Sequence, residues 1–265
     1  LQASKIEKRE KKSMMSGFHA FWSLGVLVGS FFTSVFLQLE ISILMNTLIY
    51  VIIMTPINLY FSLQLNQDEK NNKKDKNNIF FIWPAIIFLL AIIAMANAVT
   101  EGSVDSWGAL YMKDYIQVNG FQVGIATISF NIFMVIGRLN GDWFRDRYGV
   151  FNILITLLLL TVISLIILIN FNTLFSSILG FALLGIGASS IIPIAYSLAS
   201  KIKGIDSGVG IAIISLAVYG TFIGAPAGLG FVANYYGVNN IFLPILFIFI
   251  ILFLPLIVFK GKFKL

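Results

Sequence analysis

Three ionisable side chains of this sequence lie within or beside long apolar runs, where a charge is costly: Glu101, Asp105 and His19. A carboxylate inside a bilayer costs about 2.5 to 3.5 kcal/mol on insertion scales, so such a group usually lines a cavity or exchanges a proton. Glu101 and Asp105 are four residues apart and share a face if the helix continues through Gly102. An imidazole titrates near neutral pH and suits proton relay. These residues predict a pathway for protons or a polar solute.

A structural role remains open for each of these residues. Glu101 follows Ile79 by 22 residues, which corresponds to about 33 Å of helix and predicts a position near the far rim of a membrane. There the carboxylate would be part of a gate or a solvated rim. His19 is close to the basic N-terminal segment, and the favoured interpretation is an interfacial hydrogen bond that orders the helix entrance.

Neutral polar residues form a second group of candidates for the same pathway: Asn97, Asn131, Asn46 and Tyr219. Amides and phenols inside a helical bundle can bind a hydroxylated solute. They also form ordinary hydrogen bonds between helices, which is the favoured interpretation for each of them singly. Together they are compatible with a polar central cavity.

Five of the 30 charged residues fall within "GRLNGDWFRDRYG", residues 137 to 149. Gly137 and Gly141 form a small-xxx-small face that lets a neighbouring helix approach closely. Asp142 and Asp146 can then face the positive N-terminal end of another helix, while the arginines pair with them or with phosphate headgroups. We call this stretch the cytoplasmic gate motif, with functional positions Gly137, Arg138, Gly141, Asp142, Arg145, Asp146, Arg147 and Gly149. The alternative to a gate is that residues 137 to 149 form an ordinary charged loop.

Two further segments contain the residue types that bend or closely pack helices. Pro193 lies in "GFALLGIGASSIIPIAYS" (180 to 197) and removes a backbone donor there. Gly220, Gly224 and Gly228 recur at four-residue spacing with Pro226 between them, which predicts tight helix packing and a hinge. Plain structural packing is the alternative for both segments.

The elements that position these residues follow from the composition, which is 58% hydrophobic and only 11% charged. Lipid offers no hydrogen-bond partners, so each apolar stretch of spanning length must be a helix. The sequence predicts an all-α membrane protein, a polytopic bundle with eight transmembrane helices. The predicted spans are 17 to 39, 41 to 63, 79 to 100, 121 to 139, 150 to 170, 174 to 200, 207 to 235 and 240 to 259.

The net charge of +6 reflects membrane topology and does not indicate a nucleic-acid partner. Of the 18 Lys and Arg residues, seventeen lie on alternate connections: residues 1 to 13, 65 to 78, 137 to 149, 201 to 203 and the C-terminal tail. The positive-inside rule places these connections in the cytoplasm. The lipid bilayer is therefore the expected large partner, and no nucleic acid is expected.

The domain organisation follows from the polar segment 65 to 78, which predicts a cytoplasmic linker between residues 1 to 64 and a six-helix unit at 79 to 265. The sequence contains no cysteine, no P-loop, no hydrolytic triad and no cluster of metal-ligand residues. We therefore expect no metal, no cofactor and no enzymatic activity.

The chain resembles the major facilitator superfamily. Asp146, Arg147 and Gly149 match the Asp-Arg-x-Gly core of that family's cytoplasmic signature, with Asp142 where the first glycine is usual and Val150-Phe151 in place of the basic pair. The segments "MSGFHAFWSLG" (15 to 25) and "EGSVDSWGALYM" (101 to 112) resemble bacterial permeases with sugar-permease-like relatives. On this resemblance the helices are the family's fifth to twelfth, and the first four helices of the same protein are missing.

The resemblance implies a secondary active transporter in a bacterial inner membrane that works by alternating access. Its expected substrate is a small, polar, sugar-like solute, and its transport is expected to be coupled to protons. Two alternatives remain open. One is a truncated, non-transporting membrane fragment or scaffold. The other is a drug or metabolite exporter of the same family.

Overall fold

The computed structural model describes residues 2–64 and 84–263, and this part of the chain is almost entirely helical and contains no strand. The α-helices are α1 (Gln2–Glu10), α2 (Met15–Gln38), α3 (Ile43–Leu63), α4 (Ala85–Leu110), α5 (Ile125–Tyr148), α6 (Val150–Asn170), α7 (Leu174–Ala188), α8 (Ile191–Ala199), α9 (Ser207–Tyr236) and α10 (Phe242–Val258). A π-helical turn (Tyr111–Tyr115) extends α4, and short 3-10 turns occupy Gly120–Gly124, Val238–Ile241 and Lys260–Phe263.

Eight helical segments in the described ranges are long and apolar enough to cross a membrane, which confirms the predicted bundle. The third segment covers Ala85–Tyr115, where the sequence predicted 79 to 100, and the fourth covers Gly120–Tyr148, where the sequence predicted 121 to 139. Hydropathy alone ended both spans too early, because each helix carries charged residues beyond its most apolar part. The predicted linker, 65 to 78, lies outside the described residues.

The cytoplasmic gate motif forms the last turns of α5 and is not a loop. Gly149 ends the helix with a φ of 82°, a left-handed conformation that glycine adopts without a steric penalty. Helix α6 begins at the next residue. This tight connection holds Arg145, Asp146 and Arg147 at one end of the bundle.

The predicted span 174 to 200 consists of two helices, because α7 ends at Ala188 and α8 begins at Ile191. Pro193 lies in the first turn of α8, where a helix tolerates proline, and proline has no backbone N–H. In a continuous helix an N–H at this position would bond the carbonyl of Ser189. The break at Ser189–Ser190 therefore leaves that carbonyl to be satisfied by another donor.

Packing within the described residues centres on α5, which lies between α2 and α7, while α6 packs on α7 and α4 packs on α9. The tight packing predicted for Gly220, Gly224 and Gly228 is wrong for the described residues: a Cβ at any of these positions would meet nothing within 4 Å. Helix α9 continues as one helix through Pro226, and the predicted hinge there stays a prediction.

Basic segments far apart in sequence meet at one end of the bundle. Lys8 and Lys11, near the start of the chain, line the same cleft as Arg145 from the end of α5 and Lys201 from the end of α8. Phe263, beside the basic C-terminal residues, lines it as well. This arrangement agrees with the single cytoplasmic side assigned from the charge pattern.

Candidate functional site

A cavity of about 540 Å³ lies among helices α2, α4, α5, α8 and α9. Its polar or ionisable lining residues are His19, Glu101, Asp105, Arg138, Tyr196 and Tyr219. Aromatic side chains, among them Phe18, Trp22 and Phe222, complete the wall. The cavity thus combines charges of both signs with broad apolar surfaces, as solute-binding pockets do.

An ion pair between Arg138 and Glu101 lies at the inner wall of this cavity. Arg138 Nη2 donates to Glu101 Oε1 at 3.0 Å, and the two side chains are only 2% and 9% exposed. Arg138 was predicted as part of the cytoplasmic gate motif, and the structure places its side chain in the wall of this cavity. It lies seven residues before Arg145, which places it about 10 Å deeper along α5.

Glu101 lies near the middle of its span and not at the far rim, which corrects the position expected from sequence. The spanning segment begins at Ala85, after the N-cap residue Pro84, and continues to Tyr115. About 24 Å of helix therefore separates Ala85 from Glu101. Asp105, one turn further on, is an exposed side chain that lines the same cavity.

The broken helix α7–α8 contributes two backbone carbonyls to the same network. Asn97 Nδ2 donates to Glu101 Oε1 at 2.8 Å and to the Ala188 carbonyl at 3.1 Å. Arg138 Nε donates to the Ser189 carbonyl at 2.9 Å, which is the carbonyl that Pro193 cannot satisfy. Glu101 is therefore linked through Asn97 and Arg138 to the helix break.

Helix α2 joins the network through its backbone and through Ser23. Arg138 Nη1 donates to the His19 carbonyl at 3.2 Å and to Ser23 Oγ. The His19 ring stacks on Tyr196 with centroids 5.6 Å apart, and its Nδ1 lies 3.0 Å from the Met15 carbonyl. His19 thus lines the cavity, one turn after the start of α2.

The remaining neutral candidates divide between the cavity and other places. Tyr219 lines the cavity and is 59% exposed. Asn131 does not line it, since its side chain is buried and donates to the Thr127 carbonyl of its own helix at 2.9 Å. Asn46 lies on α3, a helix with no buried residue, and is absent from the cavity lining.

The two aspartates of the cytoplasmic gate motif bind the start of α2. Asp142 accepts from the backbone N–H groups of Ser16 at 3.2 Å and Gly17 at 2.9 Å. Asp146 accepts from the N–H and the hydroxyl of Ser13. Helix α2 has no side-chain cap from its own N-cap residue, so α5 supplies that cap.

The two glycines of the motif face the helix break. A Cβ at Gly137 would overlap Ser189, and a Cβ at Gly141 would overlap Ser190. Only glycine therefore allows α5 to approach the α7–α8 junction this closely. Gly137 brings Arg138, the next residue, within hydrogen-bond reach of the Ser189 carbonyl.

The arginines of the motif contact groups other than the motif's aspartates, with which the sequence prediction paired them, and the predicted pairing with lipid phosphates stays a prediction. Arg145 is buried and its Nη1 lies 3.7 Å from Glu7 Oε1 on α1. Arg147 lies over the rings of Trp143 and Tyr148, with Cζ–centroid distances of 5.3 and 5.7 Å. Such contacts are cation–π interactions.

Glu7 is a buried acidic residue beside the cytoplasmic gate motif that the sequence did not single out. It is 2% exposed, and its Oε2 accepts from Ser197 Oγ at 2.7 Å and lies 3.4 Å from Lys201 Nζ. The only local signal is its spacing of three from Ser4, the other buried residue of α1. For Arg138, its distance from the charged end of α5 could have indicated a separate role.

The described residues contain no group of three or more His, Cys, Asp or Glu side chains that could hold a metal ion. The cavity instead offers paired charges, hydroxyls and backbone carbonyls. This arrangement can bind a polar solute and exchange a proton at a carboxylate.

Comparisons with known proteins agree with this geometry. The family model described as Major Facilitator Superfamily matches residues 87–263. An uncharacterized MFS-type transporter of Yersinia pestis is 28% identical over 234 residues, which are 88% of this chain and 60% of that protein. An uncharacterized transporter of Sinorhizobium fredii is 25% identical over 233 residues, which are 88% of this chain and 62% of that protein.

A membrane protein named MosC of Rhizobium meliloti is 25% identical over 154 residues, 58% of this chain and 38% of its own length. The matched part of this chain thus spans about three fifths of the length of the two transporters. The eight candidate spans in the described residues and the family match together indicate a multi-pass membrane protein.

Proposed function

Because this chain belongs to the major facilitator superfamily, we propose that it takes part in secondary active transport of a small polar solute across a bacterial inner membrane. The relatives from Yersinia, Sinorhizobium and Rhizobium support the bacterial setting. In this proposal the two units on either side of linker 65–78 rock against each other to give alternating access.

The observation that carries the proposal is the buried pair of Glu101 and Arg138 in the wall of the cavity. A buried ion pair is costly to desolvate and strongly destabilising when one partner is lost. A membrane protein that keeps such a pair beside a solute-sized cavity is expected to use it. Protonation of Glu101 is the simplest change that alters the pair without moving the backbone.

The proton path follows the order of the carboxylates along α4. Asp105 is exposed in the cavity, one turn beyond Glu101 in the direction away from the cytoplasmic end. A proton entering from the outer side reaches Asp105 first and Glu101 second. Once Glu101 is neutral, Arg138 loses its counter-charge but keeps its bonds to the Ser189 and His19 carbonyls. Its guanidinium can then bind an oxygen of the solute.

The lining suits a hydroxylated, sugar-like solute. Charged and phenolic groups of Asp105, Arg138 and Tyr219 provide donors and acceptors, while Trp22 and Phe222 offer flat apolar faces. Sugars present hydroxyls at the ring edge and an apolar ring face, so both kinds of wall have a counterpart in such a solute.

The cytoplasmic gate motif supplies the conformational step. Asp142 and Asp146 hold the start of α2 against α5, and each cap of this kind contributes about 0.5 to 2 kcal/mol. Opening towards the cytoplasm breaks these bonds, and closing restores them. The motif therefore stabilises one state of the transport cycle.

The test uses the complete product of the gene that encodes this chain, reconstituted in liposomes with an imposed proton gradient. Accumulation is measured for a panel of labelled neutral sugars, sugar acids and amphipathic cations. We expect Glu101→Gln to abolish gradient-driven accumulation while counterflow of unlabelled for labelled solute continues.

Glu40→Gln is the matched control, because Glu40 is exposed in the turn between α2 and α3 and lies outside the cavity. It should leave accumulation unchanged. Gradient-driven accumulation that survives Glu101→Gln at the wild-type level would remove this carboxylate from the coupling mechanism.

The aromatic part of the cavity supports a second candidate, export of an amphipathic drug or metabolite. Phe18, Trp22 and Phe222 line the cavity, and aromatic side chains of this kind pack well against apolar rings. The same vesicles distinguish the two candidates. Export predicts that amphipathic compounds, and not sugars, move in the direction opposite to the flow of protons.

A further inference from the structure

A cleft of about 880 Å³ at the cytoplasmic end shares no lining residue with the cavity around Glu101. It is formed by α1, the ends of α5 and α8, and the start of α6. We call it the basic cleft, and its basic lining residues are Lys8, Lys11, Lys12, Arg145 and Lys201. Glu7 and Asp146 are its only acidic lining residues among the described part of the chain.

Both acidic groups already have partners. Glu7 accepts hydrogen bonds from Ser197 Oγ at 2.7 Å and the Met14 N–H at 3.2 Å, and it lies 3.4 Å from Lys201 Nζ. Asp146 accepts from the Ser13 hydroxyl and N–H. Five cations thus face two engaged carboxylates, and the cleft keeps an excess of positive charge.

Arg145 gives the sharpest sign of a missing ligand. The residue is only 6% exposed, yet its Nη1 has no hydrogen-bond partner among the described residues. The nearest carboxylate oxygen, Glu7 Oε1, is 3.7 Å away, which is too long for a hydrogen bond. A buried donor without a partner is costly, so a native site usually supplies one.

The backbone directs further cations to the same place. Helix α1 ends at Glu10, and Lys11 then adopts a φ of 51°, which turns the chain back toward α2. A left-handed lysine is uncommon and is kept only where the surroundings favour it. Lys11 and Lys12 form no ion pair within the described ranges. Their ammonium groups are available to a ligand.

We infer that the basic cleft binds a phosphate group, carried either by an anionic phospholipid headgroup or by a free phosphate of the cytoplasm. A phosphate offers several strong acceptor oxygens to a guanidinium and to ammonium groups at once. It would satisfy Arg145 Nη1 and neutralise the unpaired lysines. It would also join α1 to the ends of α5 and α8, directly beside Asp146 of the cytoplasmic gate motif.

The experiment measures the thermal unfolding temperature of the complete protein in nanodiscs of phosphatidylcholine. One arm adds inorganic phosphate and compares it with chloride at equal ionic strength. The other arm replaces part of the phosphatidylcholine by phosphatidylglycerol, whose headgroup is a phosphodiester. A ligand that binds only the folded state raises the unfolding temperature.

The test variant is the double change Lys11→Gln and Lys12→Gln, which removes two cations that have no ion-pair partner to lose. We expect it to weaken the apparent affinity for phosphate by roughly tenfold. The matched control, Lys203→Gln with Lys262→Gln, removes the same charge from exposed positions outside the cleft. It should retain the wild-type response.

The two arms distinguish the sources of the phosphate. A higher unfolding temperature with inorganic phosphate in phosphatidylcholine discs supports a soluble ligand. A higher unfolding temperature only with phosphatidylglycerol supports a lipid headgroup. In either case the test variant must lose this increase in unfolding temperature. The inference is overturned if neither arm stabilises the protein, or if test and control variants respond alike.

Discussion

At the scale of single residues, the protein depends on one guanidinium with an unusual number of partners. Arg138 bonds Glu101, Ser23 and the carbonyls of Ser189 and His19. A planar guanidinium with five N–H donors can serve these acceptors at once, whereas an ammonium group cannot. Arg138 therefore joins α4, α2 and the helix break to α5 in one buried network.

Replacement of Arg138 by alanine should destabilise the protein by about 3 to 5 kcal/mol, because Glu101 is left buried and unpaired. The measurement is the free energy of unfolding in detergent micelles. Combining the change with Glu101→Gln should cost less than the sum of the two single changes, since the unpaired charge is then removed.

Arg147→Ala is the matched control for this prediction. Arg147 contacts exposed rings of its own helix, and such contacts contribute about 0.5 to 1 kcal/mol. Equal losses of stability for Arg138→Ala and Arg147→Ala would contradict the central role of the buried network.

At the scale of elements, the break between α7 and α8 supplies the two carbonyls that accept hydrogen bonds from Asn97 and Arg138. Pro193 removes the N–H that would otherwise compete with Arg138 for the Ser189 carbonyl. The sequence indicated a bend here, but it did not show which side chain would use the freed acceptor. Gly137 faces Ser189 across the helix contact, and that contact selects Arg138.

Pro193→Ala should restore a competing backbone donor and weaken the bond from Arg138 to the Ser189 carbonyl. We expect gradient-driven transport to fall by roughly tenfold to a hundredfold, as for other small misplacements of a functional group. The unfolding free energy should change little. Pro255→Ala, in α10 and outside the cavity, is the control and should transport normally.

The contact between α5 and the start of α2 is the second device at this scale. Asp142 caps α2 from a neighbouring helix, and its loss should cost about 0.5 to 2 kcal/mol. The chain contains no cysteine, so a single Met15→Cys change reports on this region alone. Asp142→Ala should raise the rate at which a permeant maleimide labels that cysteine by several-fold.

Asp206→Ala provides the comparison for the α2 cap, because Asp206 caps its own helix, α9, through the N–H groups of Gly208 and Val209. It removes a cap of the same kind without changing the contact between α5 and α2. Labelling of Met15→Cys at the same rate in both aspartate variants would argue against a gate at this contact.

At the scale of the whole molecule, the main feature is that basic residues from distant segments lie at one end of the bundle. The basic cleft brings together cations from the start of the chain, α5 and α8, as the positive-inside rule requires. The cavity lined by Glu101 and Asp105 lies among the helices, and these two acidic residues are near the middle of the spanning segment that contains α4.

Single cysteines introduced at Lys203 and Lys262 should react with a membrane-impermeant maleimide from the same side of the membrane. A cysteine at Gln117, in the connection between α4 and α5, should react only from the opposite side. The measurement is labelling in intact cells compared with inverted membrane vesicles. Labelling of Lys203 and Lys262 positions from opposite sides would contradict the eight-span topology.

Helical spans and charge sidedness were predictable because they depend on local composition: each apolar run must form its own hydrogen bonds in lipid. The same argument predicts a cytoplasmic position for residues 137 to 149. The partners of the charged groups were not predictable from local composition. Arg138 and Glu101 are 37 residues apart, and only helix packing brings them together.

Sequence alone thus determined that this is a membrane bundle with one basic face and carboxylates in a spanning helix. The tertiary structure decided that Glu101 is central, that Arg138 belongs to the cavity, and that Glu7 is buried beside Arg145. Hydropathy is a property of each segment, whereas ion pairing depends on which helix faces meet. Which helix faces meet depends on close contacts such as the one between Gly137 and Ser189. Such a contact joins two segments, so the sequence of one segment does not reveal it.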